Sequence, residues 1–295
     1  NGVLNAIKKV LMKNDIDEET MEFIFRSLKS LSKYQSTDIE NEVGINLCVK
    51  VLGNAPLKIQ KIIADFLQLI TSKIFENSFI SSLTSLAWHI TKIIDNDIFG
   101  ILVSVLYNIG TKASTKLIPR DFIKPLYQLI LLSNNSSSLV MLTELLRIGS
   151  FKCVDEIINY VDFKKLFSKK IDFKIKNNLF LTLVNILPAP NMVSEMWNPM
   201  QNQTLSSKNL AKCIQYFLID LLINDYEASP LSVLTLAMTC EVSQPELPEL
   251  ILFKLCFLIK EDGYFKYILL LALNIKNKTK LVSTGLYKEL CNVNT

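Results

Sequence analysis

One helical stripe recurs along this chain at a near-constant interval. Leu28, Leu67, Leu106, Leu145, Leu183 and Leu221 are separated by 39, 39, 39, 38 and 38 residues. Four residues before each leucine stand Ile24, Ile63, Leu102, Met141, Leu179 and Phe217. Three before stand Phe25, Ala64, Val103, Leu142, Phe180 and Leu218, and three after stand Leu31, Ile70, Ile109, Ile148 and Ile186. Asn224 then breaks the series. Positions i, i+1, i+4 and i+7 lie on one side of a 3.6-residue helix. Six amphipathic helices in register at one lag describe an array. No unit can bury its stripe alone, so neighbours must stack into a continuous core.

Shorter apolar segments precede the striped helices. "ENEVGINLCVKVLGN" leads into "APLKIQKIIADFLQLIT", "IPRDFIKPLYQLILLSNN" into "SSSLVMLTELLRIG", and "FKCVDEIINYVDFKKLFSKK" into "KIKNNLFLTLVNILPAP". The breaks carry Asn-Ala-Pro, Ser-Asn-Asn or Asp-Asn-Asp, residues that favour turns and helix caps. Each unit therefore reads as one or two short helices, a polar break and a longer helix. Beyond Leu221 "PLSVLTLAMTCEV", "LPELILFKLCFLI" and "YFKYILLLALNIK" keep a helical pattern at another lag. Irregular capping helices are expected over 225–295, with "LPELILFKLCFLIK" as a core helix. The segment 188–207, containing Met192, Met196, Trp197 and Met200, reads as an extended loop that could anchor a partner or fold back.

Composition excludes several classes. Charged residues are 20% and hydrophobic residues 49% of the chain, which disfavours disorder. With 8 Gly and 9 Pro the chain lacks the turn residues of a sheet-rich fold. The net charge of +4 is too mild to imply nucleic acid or membrane by itself. The six cysteines, Cys48, Cys153, Cys213, Cys240, Cys256 and Cys291, form no CxxC pair and read as buried thiols of a reducing compartment. A cytoplasmic or nuclear chain is expected. The start "NGVLNAIKKVLMKNDIDEET" has neither an initiator Met nor a signal-peptide layout, which reads as a fragment of a longer protein. No apolar run reaches the ~18 residues of a membrane span.

Catalytic patterns are missing. His89 is the one histidine, set among apolar residues in "SLAWHITKII", and reads as a core residue. GxSxG, GxxxxGK[ST] and GxGxxG do not occur. The acidic cluster Asp15, Asp17, Glu18 and Glu19 reads as a helix N-terminus. No enzyme activity, cofactor or metal is expected.

"GINLCVKVLGNAPLKIQKIIADFLQLIT" and "IPRDFIKPLYQLILLSNNSSSLVMLTELLRIG" resemble armadillo repeats, with HEAT repeats as the neighbouring alternative. The resemblance covers 20–224. It implies an all-α, right-handed α-solenoid of six to seven repeats in one domain over 1–295, whose third helices line a concave binding face. It also implies groove residues two before and two after each repeated leucine. These are Arg26 and Ser30, Asp65 and Leu69, Ser104 and Asn108, Thr143 and Arg147, Leu181 and Asn185, and Ile219 and Ile223. Asn108 and Asn185 occupy the place where the family often carries an Asn that hydrogen-bonds an extended peptide. The nuclear-import adaptors pair that Asn with a Trp one turn earlier, where this chain has Ser104 and Leu181. The row is mixed in sign, which points to a partner of polar or mixed character.

A non-enzymatic interaction scaffold, a regulatory module of a larger protein, is the leading reading. Its partner would be a peptide or a folded domain, with a small GTPase or the protein's own tail among those implied by the related region of formins. A second reading uses the basic segment Lys164, Lys165, Lys169, Lys170, Lys174 and Lys176, interleaved with Phe163, Phe167 and Phe173, to meet nucleic acid or an acidic membrane. The same spacing fits amphipathic helices with Phe inward and Lys outward. A transport adaptor is the third reading.

Overall fold

The computed structural model describes residues 2–13, 15–75, 77–113, 117–169, 171–187, 215–216, 218–219, 222–223, 229–243, 246–261, 263–276 and 278–292. Among these, every regular element is helical. The chain divides into two compact units, 1–161 and 162–295.

In the first unit the elements are α1 (Gly2–Leu11), α2 (Glu18–Leu31), α3 (Ser36–Glu42), α4 (Ile45–Leu52) and α5 (Leu57–Lys73). A 3-10 turn (Asn77–Ser82) leads to α6 (Leu83–Ile90) and α7 (Asn96–Lys112). A second 3-10 turn (Arg120–Phe122) leads to α8 (Ile123–Leu132), α9 (Ser136–Gly149) and α10 (Val154–Tyr160). The long helices pack in chain order, α2 on α5, α5 on α7 and α7 on α9. The shorter helices make a second row, α4 to α6, α6 to α8 and α8 to α10, and the rows are tied by α4–α5, α6–α7 and α8–α9.

The stripe is the seam of this two-row stack. Leu28, Leu67, Leu106 and Leu145 are fully buried, as are Phe25, Ala64, Val103 and Leu142 beside them. Burial of one such leucine is worth about 1.5–3 kcal/mol, so repetition supplies most of the drive to stack. Close approach of successive long helices needs glycine at Gly110, where a Cβ would stand 2.4 Å from Leu145 Cδ2.

Helix starts follow the turn residues. Asp17 accepts the Thr20 amide at 2.8 Å, Asp95 accepts the Asp97 and Ile98 amides, and Asn135 accepts the Ser138 amide. The acidic cluster of the sequence is thus a cap, with Glu18 and Glu19 in the first turn of α2. α4 is started from a distance. The buried Glu40 carboxylate accepts the Ile45 amide at 2.9 Å across Gly44, which sits at φ +81°, where a side chain would be strained.

Polar links between successive units recur at separations close to the period of the stripe. Lys58–Glu22, Lys29–Asp65, Gln68–Ser104, Ser78–Glu40, Thr84–Asp121, Arg120–Glu156 and the Asn46 bonds to Ser81 and Ser82 join residues 35 to 38 apart. Lys73 donates to the Ser32 and Lys33 carbonyls, and Lys112 to those of Thr71 and Ser72, at separations of 40 and 41. Each lysine ends one long helix and caps the negative end of the previous one.

The second unit holds α11 (Phe163–Phe167), α12 (Phe173–Ile186), α13 (Pro230–Ser243), α14 (Glu249–Leu258), α15 (Phe265–Asn274), α16 (Lys278–Ser283) and α17 (Leu286–Asn292). Leu179, Phe180 and Leu183 continue the stripe as buried residues. α12 packs on α13, α13 most extensively on α15, and α14 on α16 and α17. α14 is only half a core helix. Ile251, Leu252 and Leu255 are buried, whereas Leu250, Phe253 and Phe257, at i, i+3 and i+7, are exposed. An unbroken apolar run does not state which face the fold will cover. The 188–207 loop, Phe217, Leu221 and Asn224 lie outside the described residues.

Candidate functional site

The outward side of the long-helix row in the first unit carries the candidate site. Arg26, Lys29, Ser30, Lys33, Ile62 and Asp65 line an open depression of about 380 Å³ between α2 and α5. Lys29, Asp65, Gln68, Leu69, Ser72, Ser104 and Asn108 line a second, of about 580 Å³, running from α2 across α5 to α7. The two share Lys29 and Asp65, whose ion pair at 2.8 Å forms their common wall. Five candidate residues named from the sequence, Arg26, Ser30, Asp65, Ser104 and Asn108, are thereby brought together on one surface.

The remaining candidates fall elsewhere. Thr143 is fully buried and its hydroxyl donates to the Leu139 carbonyl at 2.8 Å, so it belongs to the α7–α9 seam and not to the groove. A threonine can hide its hydroxyl on its own helix, which spacing alone does not reveal. Arg147 is half-buried and held by Glu144 through bonds of 3.0 and 2.5 Å. That carboxylate is the main reason its guanidinium pKa is raised. Asn185 is half-buried on α12 in the second unit, where Leu181 and Ile219 are also half-buried and Ile223 is exposed.

Charge is handled inside the row. Glu22 bonds Lys58 and Arg26, each at 2.7 Å, and Lys58 first and Arg26 second hold its carboxyl below the usual range. Solvent-exposed pairs of this kind contribute little to stability. Their effect here is to leave a nearly balanced surface whose middle presents amide and hydroxyl groups. Sequence reasoning missed Lys29 and Gln68. They follow the repeated leucines Leu28 and Leu67 directly, and each reaches the groove residue of the next unit, Asp65 at 2.8 Å and Ser104 at 3.5 Å. Their signal was that same lag of 39.

The basic segment sits at the α11–α12 corner. Phe163 and Phe167 are buried, whereas Phe173 is 59% exposed and breaks the expected inward pattern. Lys164, Lys165 and Lys174 are exposed, Lys169 and Lys176 are half-buried, and Lys170 lies outside the described residues.

His89 and three of the cysteines are held in packed surroundings. The half-buried His89 ring lies against Gly53, where a Cβ would come within 2.3 Å of it; burial first and Lys92 second lower its pKa. Burial pushes the Cys153 thiol up to about 11 and the Cys240 thiol up to about 12, and raises Cys48 further. Cys256 is half-buried, Cys291 is exposed, and Cys213 lies outside the described residues. Among the described residues no group of three His, Cys, Asp or Glu could hold a metal ion, and no helix is long and apolar enough to cross a membrane.

No family model matches the sequence, and no curated protein matches it. Solved structures do resemble the fold. A crystal structure of an engineered protein from the Northeast Structural Genomics Consortium aligns with 100% of this chain and 84% of its own length, at 15% identity and a TM-score of 0.50. A second engineered protein from the same consortium covers 94% of this chain and 97% of its own, at 17% identity and a TM-score of 0.34. The first likeness speaks of fold alone.

Proposed function

We propose that this chain is a non-enzymatic protein-interaction scaffold of the armadillo or HEAT kind. In this reading the two-row stack belongs to a right-handed solenoid, and the long-helix row is its concave face. The observation that supports it best is the double depression over α2, α5 and α7. Its centre, at Gln68, Ser104 and Asn108, offers amide and hydroxyl groups that can donate and accept at once. That chemistry suits the backbone of an extended peptide or the edge of a folded domain. A groove most of whose charges are paired within the row selects by shape and hydrogen bonding more than by net charge.

The test is site-specific photo-crosslinking in native extract, with the reactive group placed at Ser104 in the depression or at the exposed Ser85 on α6, in the other row. Capture of a defined protein through Ser104, abolished by Asn108→Ala together with Arg26→Glu while the thermal melt is unchanged, is the expected result. Capture through Ser85 alone, or capture indifferent to the double variant, overturns the groove as the binding face.

A further inference from the structure

The α11–α12 corner carries charge that the groove does not use. Phe163 and Phe167 turn inward, and the Phe167 ring lies 4.9 Å from that of Phe180 on α12. This contact fixes α11 against α12 and holds Lys164, Lys165 and Lys174 out in solvent, with Lys169 in the connection between them. The two acidic residues of the segment are occupied as caps. Asp162 accepts the Lys165 amide at 3.1 Å, and Asp172 accepts the Ile175 amide at 3.0 Å. Lys164, Lys165 and Lys174 have no ion-pair partner among the described residues. The Lys169 ammonium is pushed down by burial and then by the charge of Lys165, a sign that cations stand close together here. Among them stands Phe173, 59% exposed.

We propose that this corner docks on an anionic lipid surface, with Lys164, Lys165 and Lys174 against the headgroups and Phe173 entering the interface between headgroups and acyl chains. The side chains favour lipid over nucleic acid. A single-strand site uses a succession of aromatic platforms, and base or phosphate recognition favours the forked guanidinium of arginine. Residues 162–176 contain no arginine and one exposed ring. Lysine is a compact point charge that needs only a diffuse negative field, which an acidic leaflet supplies. A phenylalanine has no polar group to satisfy and gains by leaving water at the membrane boundary. This docking is independent of the groove, so either can fail without the other.

The experiment is co-sedimentation of the full chain with vesicles of phosphatidylcholine alone or mixed with phosphatidylserine, at low and high salt. Each exposed lysine is expected to contribute about five-fold in partitioning. The chain should sediment with the acidic vesicles, weakly with the neutral ones, and less as salt rises. Lys164→Gln, Lys165→Gln and Lys174→Gln together should reduce partitioning roughly a hundred-fold by the same arithmetic. Phe173→Ser should reduce it about ten-fold, and Phe173→Trp should retain it with a blue-shifted emission on vesicle addition. Unchanged melting of the variants keeps the comparison clean, since all four side chains are exposed. Equal sedimentation of the triple variant, or no sedimentation with acidic vesicles at low salt, overturns the proposal. So does displacement from the vesicles by a mixed-sequence oligonucleotide, which would assign the corner to nucleic acid.

Discussion

Residues 1–161 and 162–295 are built by the same stacking of apolar helix stripes, yet they repeat at different lengths. In the first unit the start of α5 at Leu57 and that of α7 at Asn96 are 39 residues apart. In the second, the start of α13 at Pro230 and that of α15 at Phe265 are 35 apart. The polar links contract with the helices. Lys254 to the Leu222 carbonyl, Cys256 to that of Thr284, Lys260 to Glu289 and Gln215 to Cys240 span 25 to 32 residues. Among the described residues the short elements differ as well. The 3-10 turns at Asn77–Ser82 and Arg120–Phe122 stand in the first region and make many of its cross-links, through Ser78, Ser81, Ser82, Arg120 and Asp121. The short elements thus reach back to the previous unit, while the long helix carries the stripe.

The largest effect should come from the stripe itself. Leu106→Asp buries a charge at a fully buried seam and should cost about 4 kcal/mol or more. Hydrogen exchange should show protection lost across α5, α7 and α9, and native-like melting of this variant would refute the repeat register. Next comes close approach between units. Gly110→Val drives a side chain into Leu145 and should cost about 1–3 kcal/mol. Gly100→Ala on the same helix has open space and should be neutral or stabilising by up to about 1 kcal/mol. Denaturant midpoints decide this pair, and equal destabilisation would mean that α7 and α9 do not approach at Gly110.

The lysine-to-carbonyl links between helices offer a sharper comparison of the two regions. Lys73→Met and Lys112→Met should each cost about 1 kcal/mol, because each leaves helix-end carbonyls without their charged donor. Lys254→Met should cost a similar amount, since Lys254 reaches the Leu222 carbonyl at 2.8 Å. A neutral result for Lys254→Met beside costly losses at the other two would show that the device works only in the longer repeat.

The smallest effect is a pH dependence confined to the first region. The folded pKa of His89 is depressed, so the unfolded chain takes up its proton first. Stability from this group is therefore present above the ordinary histidine value of about 6.5 and is lost as pH falls through the lower folded value. Melting temperature should drop between pH 7.5 and pH 5 in the parent chain and drop less in His89→Gln. The carboxyls whose pKa values are lowered, Asp17 and Glu22, act below that window. Parallel slopes for the two proteins would assign the pH dependence to other groups.

Much of the candidate site is legible in the sequence. Positions two before and two after the repeated leucine carry Arg26, Ser30, Asp65, Ser104 and Asn108 to one surface, because helical periodicity fixes which residues share a side. Thr143 fails the same rule, since its small hydroxyl can be satisfied by its own helix and then buried. Lys29 and Gln68 were invisible as site residues because joining the groove depends on a side chain from the next unit being within reach.

The sequence by itself determined the helices, their capping residues, the seam and the lag of 39, all of which follow from local periodicity and turn chemistry. Tertiary structure alone decided which charges face one another, as in the pairs Lys29–Asp65 and Glu22–Lys58. It also decided which face of the doubly apolar α14 is covered, and that Phe173 stands outside while Phe163 and Phe167 turn in. Those outcomes depend on distances between residues far apart in the chain. Side-chain reach and packing between neighbouring units set such distances, and no pattern along a single helix contains them.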